Sequence, residues 1–363
     1  PVTSTPVRRL IVIKAHGTAG LVDRLRRAWD AGDAVLPLDP RLPATARERV
    51  LGAARPDEPV ADGDALVVAT SGTSGEPKAV VLTHDAVDAS ARATSRRLAV
   101  DPTSDRWLAC LPLAHVGGLG VVTRAILTRT PLTVHDGFDP GAVEAATRGP
   151  DRCTLASLVP TMLRRIDPNG FRTVVLGGSA MPPDLPANAV ATYGMTETGS
   201  GVVYDGVPLD GVDVRVEGGQ VELRCPMLLR CYRDGTDPRG PDGWFPTGDA
   251  GAWDETEGRL RVFGRMADVI VSGGENVWPV AVERALASHA RVREVAVVGR
   301  PDPEWGQRVT ALVVPADRAH PPTLDELRSV AKRDLPAYCA PRELVLVTEL
   351  PRTGLGKLVR RAL

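Results

Sequence analysis

Lysine is scarce in this 363-residue chain: of 44 basic residues only Lys14, Lys78, Lys332 and Lys357 are lysine, and the rest are arginine. Aromatic residues make up 4% of the sequence, cysteine occurs five times, and long apolar runs are absent. Each shortage excludes something. The apolar run Leu10-Ile11-Val12-Ile13 is far short of the ~18 residues that a membrane-spanning helix needs. The chain does not open on a charged segment followed by an apolar stretch and a cleavage site, so no secretory signal is expected. The cysteines at 110, 153, 225, 231 and 339 are odd in number and none has Cys-x-x-Cys spacing. The close pair, Cys225 and Cys231, has no histidine nearby to complete a zinc site. They are expected as ordinary thiols in a reducing cytoplasm. With 44 basic and 45 acidic residues the net charge is −1, so the chain has no whole-molecule field for nucleic acid or an anionic bilayer.

What is present is ordinary for a globular chain: 43% hydrophobic and 25% charged residues, at a length that suits about two domains of ~150 residues. Helical patterns at 20–30, 83–98 and 157–166 alternate with apolar strand candidates at 34–36, 65–69, 107–111, 132–134, 173–176 and 202–204. This alternation predicts an α/β fold whose large N-terminal domain, residues 1–263, is built of parallel-type sheets with crossover helices. Within it, residues 212–263 switch to short alternating strands with Gly/Asp turns, an antiparallel signature. Residues 264–363 predict a small C-terminal α+β domain: helices at 278–288 and 323–334, strands at 294–299, 309–314 and 343–348.

The run 65–69 leads into Thr70-Ser71-Gly72-Thr73-Ser74-Gly75-Glu76-Pro77-Lys78. Small residues let backbone N–H groups converge on an anion, hydroxyls add donors, and Lys78 adds a compact mobile charge. Where arginine is the default base, a lysine in a glycine-rich stretch points to phosphate. The loop is not a Walker motif, since Lys78 is not followed by Ser or Thr for magnesium, and it is not Gly-x-Gly-x-x-Gly.

Ser71-Gly-Thr-Ser-Gly-Glu-Pro-Lys78 resembles the phosphate loop of the adenylate-forming acyl-CoA synthetases. Four further stretches resemble that family's signatures in the family's order: Ala191-Thr-Tyr-Gly-Met-Thr-Glu-Thr198, Gly243-Trp-Phe-Pro-Thr-Gly-Asp249, Gly264-Arg-Met-Ala-Asp-Val-Ile-Val-Ser-Gly-Gly-Glu-Asn-Val277 and Pro351-Arg-Thr-Gly-Leu-Gly-Lys357. Against the family, the chain ahead of the phosphate loop is short, with 70 residues, so the N-terminal architecture is expected to be reduced and a homodimer to cover what this exposes.

The resemblance implies a reaction in two halves. A carboxylate attacks the ATP α-phosphate to give an acyl-adenylate and pyrophosphate, and the thiol of coenzyme A then displaces AMP. Two anions must meet, so positioning and charge neutralisation carry the first half. Lys357 is implied to bridge the carboxylate and the α-phosphate, Thr196 to donate to that phosphate, and Glu197 to hold Mg2+. Ser71, Gly72, Thr73, Ser74, Gly75 and Lys78 cradle the remaining phosphates. Tyr193, with Gly194 and Met195 beside it, stacks on adenine, and Gly177, Gly178 and Ser179 form the opposite wall. Asp249 accepts from the ribose hydroxyls, and Arg265 reaches ribose or phosphate. The small domain is implied to rotate about Ala267 or Asp268 between the half-reactions, bringing Gly273 and Gly274 to the pantetheine arm.

The acid is read from Leu111-Pro-Leu-Ala-His115-Val-Gly-Gly-Leu-Gly120 and from Arg124, which lies on an apolar helical stretch. An arginine there needs a partner, and a second carboxylate on the substrate would supply one, whereas an alkyl tail would not. His115, Arg124 and Thr154-Leu-Ala-Ser157-Leu-Val-Pro-Thr161 resemble the o-succinylbenzoate–CoA ligases of menaquinone biosynthesis. That implies 2-succinylbenzoate as the small-molecule acid, with Arg124 and Ser157 on its distal carboxylate and His115 either at the carboxylate region or acting as a gate. The alternatives are a fatty-acid or other aryl-acid CoA ligase, and a non-catalytic adenylate-binding protein.

Overall fold

The computed structural model describes residues 7–16, 19–70, 76–179, 181, 184–352 and 358–363. The chain divides into two compact units, Pro1–Val214 with Leu223–Phe245, and Arg215–Glu222 with Pro246–Leu363.

The first unit holds two sheets. One runs in the order Leu10–Lys14, Ala34–Leu38, Asp64–Thr70, Lys78–Thr83, Cys231–Tyr232. Its first three strands are parallel and its last two join antiparallel. All five residues of Ala34–Leu38 are buried, as a near-continuous apolar run inside a sheet requires. Trp29, on the helix Ala19–Asp30, donates its indole N–H to the Ala65 carbonyl at 3.0 Å, pinning that helix to the sheet. The helix His84–Arg97 starts where Thr83 Oγ1 accepts from Ala86 N, with Asp85 in its first turn and Arg96 and Arg97 in its last.

The other sheet runs Val207–Pro208, Gly201–Tyr204, Ala189–Gly194, Thr173–Leu176, Leu155–Leu158, Trp107–Ala109, Leu132–Val134. From Ala189–Gly194 to Leu132–Val134 every pairing is parallel, so the carboxyl ends of these strands open on one side. In open α/β sheets that side takes the ligand. The amino ends are clamped instead. Asp105, 4% exposed, accepts from Thr154 Oγ1 at 2.6 Å and from Arg172 Nε and Nη2 at 3.0 and 2.7 Å. These three residues precede three adjacent strands.

One element departs from the sequence expectation. The helix predicted over 157–166 is a strand, Leu155–Leu158, followed by the short helix Pro160–Leu163. Leu155 and Leu158 are fully buried between neighbouring strands, so ladder pairing and burial override a pattern that periodicity reads either way. Pro160 then serves as a first helical residue, where its missing N–H is no loss.

The second unit centres on Gly306–Pro315, paired antiparallel with Val292–Asp302 and parallel with Glu343–Leu346. Ile270–Ser272 and Glu275–Val277 extend the sheet. The helices Pro279–Leu286 and Leu324–Asp334 pack Val282, Leu286, Leu327 and Ala331 into one core with Val297, Val309, Ala311 and Val313. Thr323 and Glu326 close a reciprocal capping box at the start of the second helix. Near the C-terminus Arg360 is held by both oxygens of Glu283 (2.7 and 2.8 Å), by Asp268 at 3.3 Å and by the Val297 carbonyl at 2.8 Å.

Candidate active site

The strand Ala189–Gly194 delivers Tyr193 and Gly194 to the open edge of the parallel sheet. Beside it, Thr173–Leu176 ends in Gly177, Gly178 and Ser179. A methyl at Gly177 would stand 2.9 Å from Thr192 Oγ1, so the two strand ends lie close. Gly194 is tighter still. A Cβ there would collide with the Ser200 carbonyl oxygen and stand 2.6 Å from Gly201 Cα. The chain then turns through Thr196–Thr198, a single 3-10 turn. Thr198, fully buried, fixes that turn by donating to the Met195 and Ser200 carbonyls and accepting from Met195 N. Thr196 and Glu197, both half-buried, sit on the turn so fixed.

Glu197 is gripped from a segment far away in sequence. The Leu229 N–H donates to its main-chain oxygen at 2.7 Å, and Tyr232 Oη donates to its Oε1 at 3.0 Å. The ring of Tyr232 in turn lies under Lys78, whose Nζ is 4.6 Å from the ring centroid. Lys78 opens the strand that follows the glycine-rich loop, and Tyr232 pairs with Val80 of that strand. Lys78, Tyr232 and Glu197 therefore form one cluster, of which the sequence reading had two members. Ser71 to Gly75 lie outside the described residues, as does Lys357.

The Glu197 Oε2 atom carries no hydrogen bond among the described residues, and among them no group of three or more His, Cys, Asp or Glu could hold a metal ion. A lone carboxylate of this kind suits magnesium, which keeps several waters and takes its other ligands from substrate phosphates.

His115 is the residue before the helix Val116–Thr128 and lines, with Asp39, Thr70 and Pro77, a cavity of about 240 Å3. Arg124 sits nine positions further on, about 2.5 turns along the same helix. It is 2% exposed, stacks 4.9 Å over the Trp107 ring, and gives Nη2 to Ser200 Oγ at 3.2 Å. Among the described residues its Nε and Nη1 have no hydrogen-bond partner, nor has the buried Trp107 Nε1. Burial pushes its guanidinium below the ordinary value, and among the described residues no carboxylate offsets this. Ser157 is buried on Leu155–Leu158, and no bond joins it to Arg124.

In the second unit Asp249 and Arg265 face each other in register across an antiparallel pair, Nε to Oδ1 at 3.0 Å. Arg265 Nη1 also donates to the Thr247 carbonyl at 2.9 Å. Gly273 adopts φ +63°, and a Cβ there would come within 2.8 Å of the Trp305 ring. Arg342 stacks on the same ring at 3.5 Å.

A parallel sheet whose carboxyl edge carries closely spaced glycine-bearing strand ends, a glycine-rich sequence ending in lysine and a carboxylate with one oxygen unbonded among the described residues define an adenylate-forming type of site. Residues 37–223 match the family AMP-binding enzyme, and residues 281–357 match the AMP-binding enzyme C-terminal domain. The chain belongs to the AMP-binding enzyme family. Within it, the "Probable 2-succinylbenzoate–CoA ligase" of Mycobacterium tuberculosis (strain ATCC 25618 / H37Rv) is 41% identical, across 98% of this chain and 97% of that protein. The 2-succinylbenzoate–CoA ligase of Listeria monocytogenes serovar 1/2a is 32% identical across 82% of this chain and 69% of its own length. Among solved structures, o-succinylbenzoate CoA synthetase from Bacillus subtilis, in complex with the acyl-adenylate intermediate OSB-AMP, is 26% identical. It matches with a TM-score of 0.86 over 98% of this chain and 88% of that one. The same enzyme in complex with ATP and magnesium ion gives a TM-score of 0.85 at 26% identity over 98% and 89%.

Proposed function

We propose that this chain is an ATP-dependent, AMP-forming acid–CoA ligase acting on 2-succinylbenzoate. The observation that carries the choice of acid is Arg124. A buried guanidinium whose Nε and Nη1 lack acceptors among the described residues, beside an indole N–H that lacks one too, leaves several donors unmet. Leaving such groups unmet costs about 1–3 kcal/mol each, more for the charged ones. A carboxylate at the far end of the substrate removes that penalty, whereas a hydrocarbon tail does not. This favours the diacid over a fatty acid.

The reacting carboxylate attacks the α-phosphorus and pyrophosphate leaves; the sulfur of coenzyme A then attacks the acyl carbon and AMP leaves. Lys357 brings the carboxylate and α-phosphate together, and Thr196 donates to that phosphate. Ser71 to Gly75 and Lys78 hold the other phosphates, and Glu197 holds magnesium, which when bound neutralises phosphate charge. Tyr193 and Gly177 to Ser179 enclose adenine, with Gly194 and Met195 at its edge. Asp249 accepts from the ribose, and Arg265 orients Asp249. His115 borders the reacting carboxylate, and Ser157 assists Arg124. In this reading residues 264–363 act as a mobile domain that presents Lys357 first and the Gly273-Gly274 loop second.

No helix among the described residues is long and apolar enough to cross a membrane. The proposal extends to a homodimer in the cytoplasm, where ATP and coenzyme A are at hand and thiols such as Cys110, which burial pushes up to about 12, stay reduced and inert.

The test is product mass after incubation with ATP, Mg2+, coenzyme A and a mixture of acids. The expected product is succinylbenzoyl-CoA with AMP and pyrophosphate. Equal conversion of fatty acids and of the aromatic diacid defeats the choice of acid, and pyrophosphate release that ignores added acid defeats the enzyme reading.

A further inference from the structure

Tyr232 has no part in the chemistry above, yet it stands between two of its charged groups. It is 8% exposed, its hydroxyl donates to Glu197 Oε1 at 3.0 Å, and its ring meets Lys78 Nζ at 4.6 Å. The segment that carries it is unusually well fixed. Arg230 forks onto both oxygens of the buried Asp64 at 2.8 and 2.9 Å, and Arg233 donates to the carbonyls of Ala54, Glu58 and Pro59. Leu229 N holds the Glu197 backbone from the same stretch. Tyr232 is thus a rigid post, and its ring and hydroxyl meet the long side chains of a cation and an anion.

Those two side chains would otherwise be free to turn toward each other. A glutamate and a lysine on neighbouring elements of one site attract, and a direct pair would cancel the charges that nucleotide and metal require. Among the described residues Lys78 and Glu197 form no ion pair. The phenol separates them: its π face takes the ammonium and its O–H takes one carboxylate oxygen, which fixes the Glu197 rotamer and leaves Oε2 open.

We propose that Tyr232 is a positioning residue for adenylate formation: it holds Glu197 by Oε1 so that Oε2 is preset for the divalent cation, and it keeps Lys78 and Glu197 apart. The inference rests on the reading of Glu197 as the magnesium ligand. It predicts that the hydroxyl and the ring do separable work.

The test compares Tyr232→Phe, Tyr232→Leu and Glu197→Gln in the full chain. Mn2+, standing in for Mg2+, is titrated into enzyme with ATP and no acid, and bound ion is followed by electron paramagnetic resonance. Tyr232→Phe should weaken Mn2+ binding about 10-fold, the size expected for losing a group that orients a metal ligand. It should leave the conversion of preformed acyl-adenylate to thioester unchanged. Tyr232→Leu should show the same Mn2+ loss and a KM for ATP raised above that of Tyr232→Phe, through Lys78. Wild-type Mn2+ affinity in Tyr232→Phe, with affinity lost in Glu197→Gln, overturns the positioning role and spares the reading of Glu197. Wild-type affinity in both variants overturns both. A thioester half-reaction slowed as much as adenylate formation also overturns it, since that is what general misfolding would do.

Discussion

Arg124 shows how much a single side chain can say. A guanidinium inside a protein is stable when carboxylates or carbonyls surround it; here a hydroxyl and an aromatic face are what the described residues offer. Residues that burden the fold in this way are often kept for a ligand. Two measurements on Arg124→Met follow. Succinylbenzoyl-CoA formation should fall by about 100-fold or more, because the distal carboxylate loses its buried partner. Thermal stability should hold or rise, since replacing a buried, poorly matched charge by an apolar side chain of similar size is commonly neutral or better. Each kcal/mol gained appears as about 2–4 °C in Tm for a domain of this size. A variant that loses stability and activity together would make Arg124 a structural residue. The lysine that the proposal puts at the reacting carboxylate has its own forecast: Lys357→Ala should slow pyrophosphate release by about 100-fold or more, as loss of a group aimed at developing charge does. An undiminished rate would remove Lys357 from the chemistry.

Among the elements, the parallel sheet separates two kinds of polarity: its carboxyl edge carries the candidate site, and its amino edge carries the Asp105 clamp. Burial alone would raise the Asp105 carboxyl, but Arg172, Thr154 and the Asp101 N–H outweigh it and hold it below the ordinary carboxylate range. A depressed folded value means that this stability is present above the unfolded pKa near 3.9 and is lost as pH falls through the folded one. Asp105→Asn should therefore lower the unfolding free energy by about 2–3 kcal/mol at pH 7, measured in urea, since Arg172 is partly exposed. The difference from wild type should shrink at pH 3 and below; a gap that is constant with pH would remove the ionic account. The same scale explains what the sequence made legible. The strands around 65–69 and 173–176 are buried apolar runs leading into glycine-containing stretches, and these read directly. Tyr232 does not, because it lies on the two-residue strand Cys231–Tyr232, too short for any periodicity, and meets Lys78 through sheet pairing. The stretch 157–166 misleads because apolar residues at helical spacing also fill a strand buried on both faces. Arg124 was legible as an oddity, but the missing acceptors that give it meaning exist in the folded chain alone.

At the scale of the whole molecule, the second unit carries its own core and its own fastening at the chain's end. Arg360 closes onto Glu283, Asp268 and the Val297 carbonyl, so the tail that follows Lys357 is tied to the residue next to Ala267. If residues 264–363 turn between half-reactions, the backbone near Ala267 absorbs the change. Ala267 lies in the 3-10 turn Met266–Asp268, and proline there restricts both its own φ and the residue before it. Ala267→Pro should leave acyl-adenylate formation within about 3-fold of wild type and slow thioester formation by about 10-fold or more, as a hinge variant does. Single-turnover assays of each half-reaction read this separately, and equal losses in both would place the hinge elsewhere.

Position 194 offers a last consequence. With the Ser200 carbonyl already occupying the volume a methyl would need, even alanine forces the strand and its return to part. A pool of genes randomised at that codon and selected for ligase output should come back with glycine alone, while Ser179, exposed beyond the end of Thr173–Leu176, should return a mixture. The two walls proposed for the nucleotide would thus differ in how freely they drift: one pinned by its own backbone, the other open to change.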